Sequence, residues 1–148
     1  MNRLSFEYEE DNHGEMEVVP CIDGKRLTEL ITEFEAAKGY DDPAGGYAGL
    51  LPAFFSGLVD RNFLPAEPDE DDAPDASRDR HYLLGCGCGH ADCWPLLATI
   101  TETNGSIHWS DFRQPHRPKR DYSDFGPLVF DRDAYVEAIT ELRLKLPR

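Results

Sequence analysis

The stretch WPLLATITETNGSIHW (94–109) decides the fold. Two runs with β-branched and aromatic residues flank Asn104-Gly105, the dipeptide best suited to a two-residue hairpin turn with both central residues at positive φ. Such a turn pairs positions summing to 209, which sets Ile100 opposite Trp109 and Glu102 opposite Ile107. On that register Leu96, Ala98, Ile100, Ile107 and Trp109 share one face, the expected core. A slip by one residue would turn Trp109 into water.

Working outward toward the N-terminus, Tyr82–Leu84 read as a strand that enters a turn dense in cysteine and glycine, GCGCGHADC (85–93). The start of the chain alternates. Leu4, Phe6 and Tyr8 fall on one side and Ser5, Glu7 and Glu9 on the other, a half-buried strand. Asp11, Asn12 and Gly14 turn it into a second short strand, Met16 to Pro20. Asp23 is expected to cap a helix whose apolar residues Leu27, Leu30, Ile31 and Phe34 recur at three and four, with Glu29, Glu33 and Glu35 facing water. Lys38-Gly39 ends it. Helical spacing returns near 51–59, with Pro52 in the first turn.

Toward the C-terminus, RQPHRPKR (113–120) is a basic, proline-broken loop. Leu128–Phe130 read as a short strand, and Asp131 caps a last helix carrying Tyr135, Ile139, Leu142 and Leu146 on one face. Residues 65–79 hold three prolines and seven acidic residues but no large apolar one, so they predict a flexible acidic loop. The expected fold is α+β: one domain over residues 1–148, an antiparallel sheet of five or six strands, two main helices and a short third. GCGCGH has no amphipathic helix behind it, which excludes a phosphate-binding loop or dinucleotide motif.

The LLGCGCGHADCWPL stretch (83–96), IHWSDFRQPHR (107–117) and DYSDFGPLVFDRDAY (121–135) resemble a family of small uncharacterised bacterial proteins marked by an LGCxCGxxxCWPL stretch and a downstream FGPxxFDRxxY stretch. The resemblance covers roughly residues 82–142. It implies that this half defines the domain, and it carries over no catalytic role.

The net charge of −14 is uneven. Residues 1–79 hold 20 of the 29 acidic side chains and 6 of the 15 basic ones, leaving nine of each for the rest. Such a field repels nucleic acid and anionic membrane and attracts basic partners. With 40% hydrophobic residues, a chain of 148 can bury roughly two thirds of its unfolded surface without staples. The N-terminal segment shows no apolar leader, so the expected location is the cytoplasm, with thiols reduced.

Cys86, Cys88, His90 and Cys93 supply three sulfurs and one nitrogen within eight residues, the ligand count of one structural Cys₃His zinc. The C-x-C spacing is tighter than the usual C-x-x-C, and Cys21 is an alternative fourth ligand. Against zinc stands a second reading, in which small side chains simply let Trp94 pack closely. A third is a cysteine nucleophile with His90 or His108 as base, which requires a depressed thiol pKa. Arg113, His116, Arg117, Lys119 and Arg120, interleaved with Trp109, Phe112 and Tyr122, could bind phosphate or RNA, though nucleic acid fits the overall charge poorly. Pairing of that loop with internal carboxylates, or its contact with an acidic strip on a partner, is the simpler expectation. Function is expected to be non-enzymatic: an acidic interaction module, of the immunity or antitoxin kind, that meets a basic protein partner through Glu29, Glu33 and Glu35. The alternatives are a small zinc-containing or thiol-dependent enzyme, and an acidic soluble protein whose cysteine turn is only structural.

Overall fold

The structure is a computed structural model and describes residues 1–10, 14–40, 45–52, 58–65, 81–86, 95–115, 117 and 119–146. β1 (Leu4–Glu10) and β2 (Met16–Ile22) pair antiparallel from Leu4↔Ile22 to Glu10↔Met16. β2 thus runs two residues beyond Pro20. The N–H of Val18 points away from β1 to the Leu50 carbonyl, so the Pro20 nitrogen, two residues on, lies on that same side, and β1 asks no donor of it.

Asp23 does not cap the helix as expected. Asp23 and Gly24, at φ 55° and 83°, form a tight turn into β3 (Lys25–Arg26), and the Asp23 carboxylate accepts from Asn2 Nδ2 at 2.9 Å and the Arg3 N–H at 2.8 Å. The cap position of α1 (Leu27–Ala37) is Arg26, which makes no side-chain capping bond. The helix stops where expected. Gly39 takes φ 77°, and the N–H groups of Gly39 and Tyr40 donate back to the carbonyls of Ala36 and Glu35, a Schellman ending.

β4 (Tyr47–Ala48) is followed by α2 (Leu58–Phe63), which holds the last two residues of the helix expected near 51–59; residues 53–57 of that span lie outside the described set. β5 (Tyr82–Cys86), β6 (Leu96–Thr103), β7 (Ser106–Arg113), β8 (Leu128–Asp131) and α3 (Arg132–Lys145) complete the order. Asp131 does cap α3, accepting from the Ala134 N–H at 3.0 Å. The acidic loop expected at 65–79 lies, apart from Pro65, outside the described residues.

The class is α+β, but the described strands form two antiparallel sheets rather than one, in the orders β1-β2-β3 and β4-β5-β6-β7-β8. Two isolated bridges join them, Asn2 to Phe130 and Val18 to Leu50, so the path of backbone hydrogen bonds closes on itself and the larger sheet curls. Contact at the second bridge needs Gly49, because a Cβ there would stand 2.5 Å from the Val18 carbonyl oxygen. β3 and β4 have two residues each, too few to continue the ladder across both sheets.

The β6–β7 hairpin has the register expected from Asn104-Gly105, with Ile100 opposite Trp109 and Glu102 opposite Ile107. Asn104 and Gly105 sit at φ 51° and 79°. Beyond Thr99↔Ser110 the pairing shifts to Leu97↔Arg113, a bulge of one residue on β7 with Asp111 at φ 53°. The inserted residue lets Trp109 and Phe112, three apart, both turn inward, and both are buried. Trp109, Phe130, Tyr135 and Phe63 form the centre of the core. The Trp109 indole N–H donates to the Tyr135 hydroxyl at 3.2 Å, and that hydroxyl donates to the Phe63 carbonyl, tying β7, α3 and α2 together.

Candidate functional site

Glu35 is fully buried, with no exposed surface, contrary to the expectation that it faces water beside Glu29 and Glu33. Helical geometry explains why. Leu27, Ile31 and Glu35 recur every four residues and are the three buried positions of α1, whereas Glu29 and Glu33 lie on the opposite face and are exposed.

The Glu35 carboxylate is the hub of a polar cluster drawn from three segments: α1, the stretch 45–47 and the loop 120–124. One oxygen accepts from the Gly45 N–H at 2.7 Å. The other accepts from the hydroxyls of Tyr47, in β4, at 2.8 Å and Tyr122 at 2.6 Å, and from the Arg120 guanidinium at 3.2 Å. Arg120 also lies over the Tyr40 ring at 5.3 Å. Next to these, the Asp121 N–H donates to the Tyr40 hydroxyl at 2.8 Å and Lys38 pairs with Asp124 at 2.7 Å. The end of α1 therefore grips the loop 120–124 at three places.

Burial, and then the Glu35 charge, push the Tyr47 hydroxyl far above the phenol range. Tyr122 is pushed up to about 12 by the same burial, followed by its hydrogen bond to Glu35. Both phenols remain donors at neutral pH. They stabilise the carboxylate and offer no base or nucleophile, so this cluster acts as a structural lock.

The loop it holds is one wall of an open cleft of about 460 Å³, the other being the bulged end of β7. Arg113 lies there, bonded to Thr99 Oγ1 at 3.3 Å and paired with Asp111 at 3.3 Å. Arg113 and Arg120 are thus both paired with internal carboxylates, one of the expectations for the basic loop. The aromatic residues expected to stack bases are core instead: Trp109, Phe112 and Tyr122 are all buried. His116 lies outside the described residues.

Of the expected zinc site, Cys86, Cys88, His90 and Cys93, only the backbone of Cys86 falls within the described residues. That backbone closes β5 and pairs with Tyr47. Among the described residues no group of three or more His, Cys, Asp or Glu side chains could hold a metal ion. Cys21 is buried in β2, its thiol 3.8 Å from the Val19 carbonyl and pushed up by burial first and by the Glu7 charge second. A thiol held protonated is a poor nucleophile. His108 is on the outer face of β7, between Thr101 and Val129.

The described acidic surface is wider than α1. On the outward side of the β1–β2 hairpin, Glu7, Glu9 and Glu17 surround the single guanidinium of Arg26, at 3.2, 2.7 and 3.5 Å. Glu9 stands directly opposite Glu17, a pairing of like charges that Arg26 relieves. Glu10 and Glu15 at the hairpin end are exposed, as are Glu29 and Glu33, the latter paired with Lys25. No helix of the described residues is long and apolar enough to cross a membrane.

Comparison with protein families, with curated proteins and with solved structures finds no match to this chain. The motifs at 83–96 and 121–135 therefore stand as a resemblance alone.

Proposed function

We propose that the protein is a non-enzymatic, acidic interaction module that engages and neutralises a basic protein partner, as an immunity or antitoxin protein does. The observation that carries this reading is the imbalance of charge on the β1–β2–α1 face. Among the described residues of that face Glu7, Glu9, Glu10, Glu15, Glu29 and Glu33 carry exposed or half-buried carboxylates, beside the two basic side chains Lys25 and Arg26. Glu35 leaves the partner-binding set, since its charge is spent inside the fold on Arg120, and the hairpin carboxylates take its place. Surplus charge of one sign on a contiguous face chiefly raises the association rate and makes it sensitive to salt.

The test is capture of the partner from the native cell, followed by association kinetics at low and physiological salt. A basic protein whose association slows with salt, and slows further when Glu10, Glu29 and Glu33 are reversed to lysine, supports the proposal. An acidic partner, or an association rate that ignores the reversals, overturns it.

A further inference from the structure

The cleft between the bulged end of β7 and the loop 120–127 has about 460 Å³, within the range of small-ligand sites, which run from roughly 300 to 1,000 Å³. Its lining residues include two arginines, Arg113 and Arg120, two aspartates, Asp111 and Asp121, and two apolar aromatics, Phe112 and Phe125. None of the four charges is loosely placed. The side chains of Arg113 and Arg120 are only 16% and 10% exposed, the first held by Asp111 and Thr99 and the second by Glu35. The bulge, with Asp111 at positive φ, sets the Asp111 carboxylate beside Arg113, and the Asp121 carboxylate accepts from the Ser123 N–H at 2.9 Å. The two rings meet edge to face with centroids 4.8 Å apart, a rigid apolar surface.

A ligand with one charge meets as many like charges here as opposite ones, whereas a ligand with both signs and an apolar body can answer all three parts of the lining. We propose that the cleft binds a free α-amino acid with an apolar side chain. Its carboxylate lies toward Arg113 and Arg120, its ammonium toward Asp111 and Asp121, and its side chain against Phe112 and Phe125. The site is independent of the acidic face and of the partner assigned to it.

Three probes of one shape test this: L-phenylalanine, 3-phenylpropionate, which lacks the ammonium, and phenethylamine, which lacks the carboxylate. Each is titrated into the isotopically labelled full chain, and shifts of the backbone amides of Ser110–Arg113 and Asp121–Ser123 are followed. Phenylalanine should bind at least about tenfold more tightly than either analogue, the ratio that one lost charged contact of about 1.4 kcal/mol produces. Asp111→Asn, a residue also tolerated at positive φ, should move the preference toward 3-phenylpropionate. Arg113→Gln should move it toward phenethylamine. Thermal unfolding of both variants establishes that they fold. Binding of an analogue as tightly as phenylalanine, shifts confined to residues outside the cleft, or no shifts with any probe at about 10 mM, a concentration above any useful affinity, each overturns the proposal.

Discussion

Two arginines of this protein meet carboxylates in different surroundings. Arg26 serves three of them, the half-buried Glu7 and Glu9 and the buried Glu17, on the outer side of the β1–β2 hairpin, where its own side chain is one third exposed. Arg120 is paired with Glu35, and there the carboxylate is fully buried and also accepts from two phenols and a backbone N–H. The same chemical pair does different work in the two places. In water, charges are screened and need not balance, so the hairpin keeps a negative excess to present outward. In the interior an unbalanced charge is costly, so both carboxylate oxygens are hydrogen-bonded and the result is a lock between α1, β4 and the loop 120–124.

The largest expected effect falls on the buried side. Glu35→Gln keeps the shape but leaves Arg120 without its counter-charge, and should cost about 3–5 kcal/mol in urea denaturation. A loss below about 1 kcal/mol, the scale of an exposed pair, would erase the contrast between the two clusters.

Tyr122→Phe removes one donor to the same carboxylate and should cost about 1.5–3 kcal/mol, the worth of a hydrogen bond to a charged group. It also sharpens the pH dependence. The folded Tyr122 is held up to about 12, above its value of about 10 in the unfolded chain, so the folded state keeps its proton longer. Its contribution is complete below pH about 10 and drains away as pH rises toward about 12. Stability of the natural protein should therefore fall through that window, and that of Tyr122→Phe should fall less steeply. Parallel curves would place the phenol in water.

On the exposed side, Arg26→Ala leaves three carboxylates facing one another and should cost about 1 kcal/mol at low salt, shrinking as salt is added. A loss that salt does not touch would mean that Arg26 matters through the packing of its stem. Smallest of all, Lys25→Ala breaks an exposed pair with Glu33 and should change stability by no more than about 0.5 kcal/mol.

What could be read from the chain followed how local the signal was. The β6–β7 register rests on two adjacent residues, and the observed pairing of Ile100 with Trp109 follows it. Asp131 as a cap and Gly39 as a helix stop are equally local. Asp23 misled because an Asp before a helix and an Asp in an Asp-Gly turn read alike; the outcome depended on Asn2 and Arg3, some twenty residues away, which hold its carboxylate. The bulge at Asp111 left no mark in the alternation up to Trp109. Phe112 was its one trace, an aromatic residue where strict alternation from Trp109 puts the outer face. Glu35 had a trace as well, its spacing of four and eight from Ile31 and Leu27, which lost to the assumption that a glutamate faces water.

By itself, then, the sequence determined the class of fold, the central hairpin, the limits of the last helix and a surplus of negative charge in the first half, all of which are matters of backbone preference, periodicity and composition. Only the tertiary structure decided that the strands divide into two sheets bridged at Asn2 and Leu50, and which carboxylates are offered outward and which are consumed within. The reason is distance along the chain. Glu35 can be buried only because Arg120 and Tyr122, 85 and 87 residues later, arrive to receive it, and no window of sequence around Glu35 contains them.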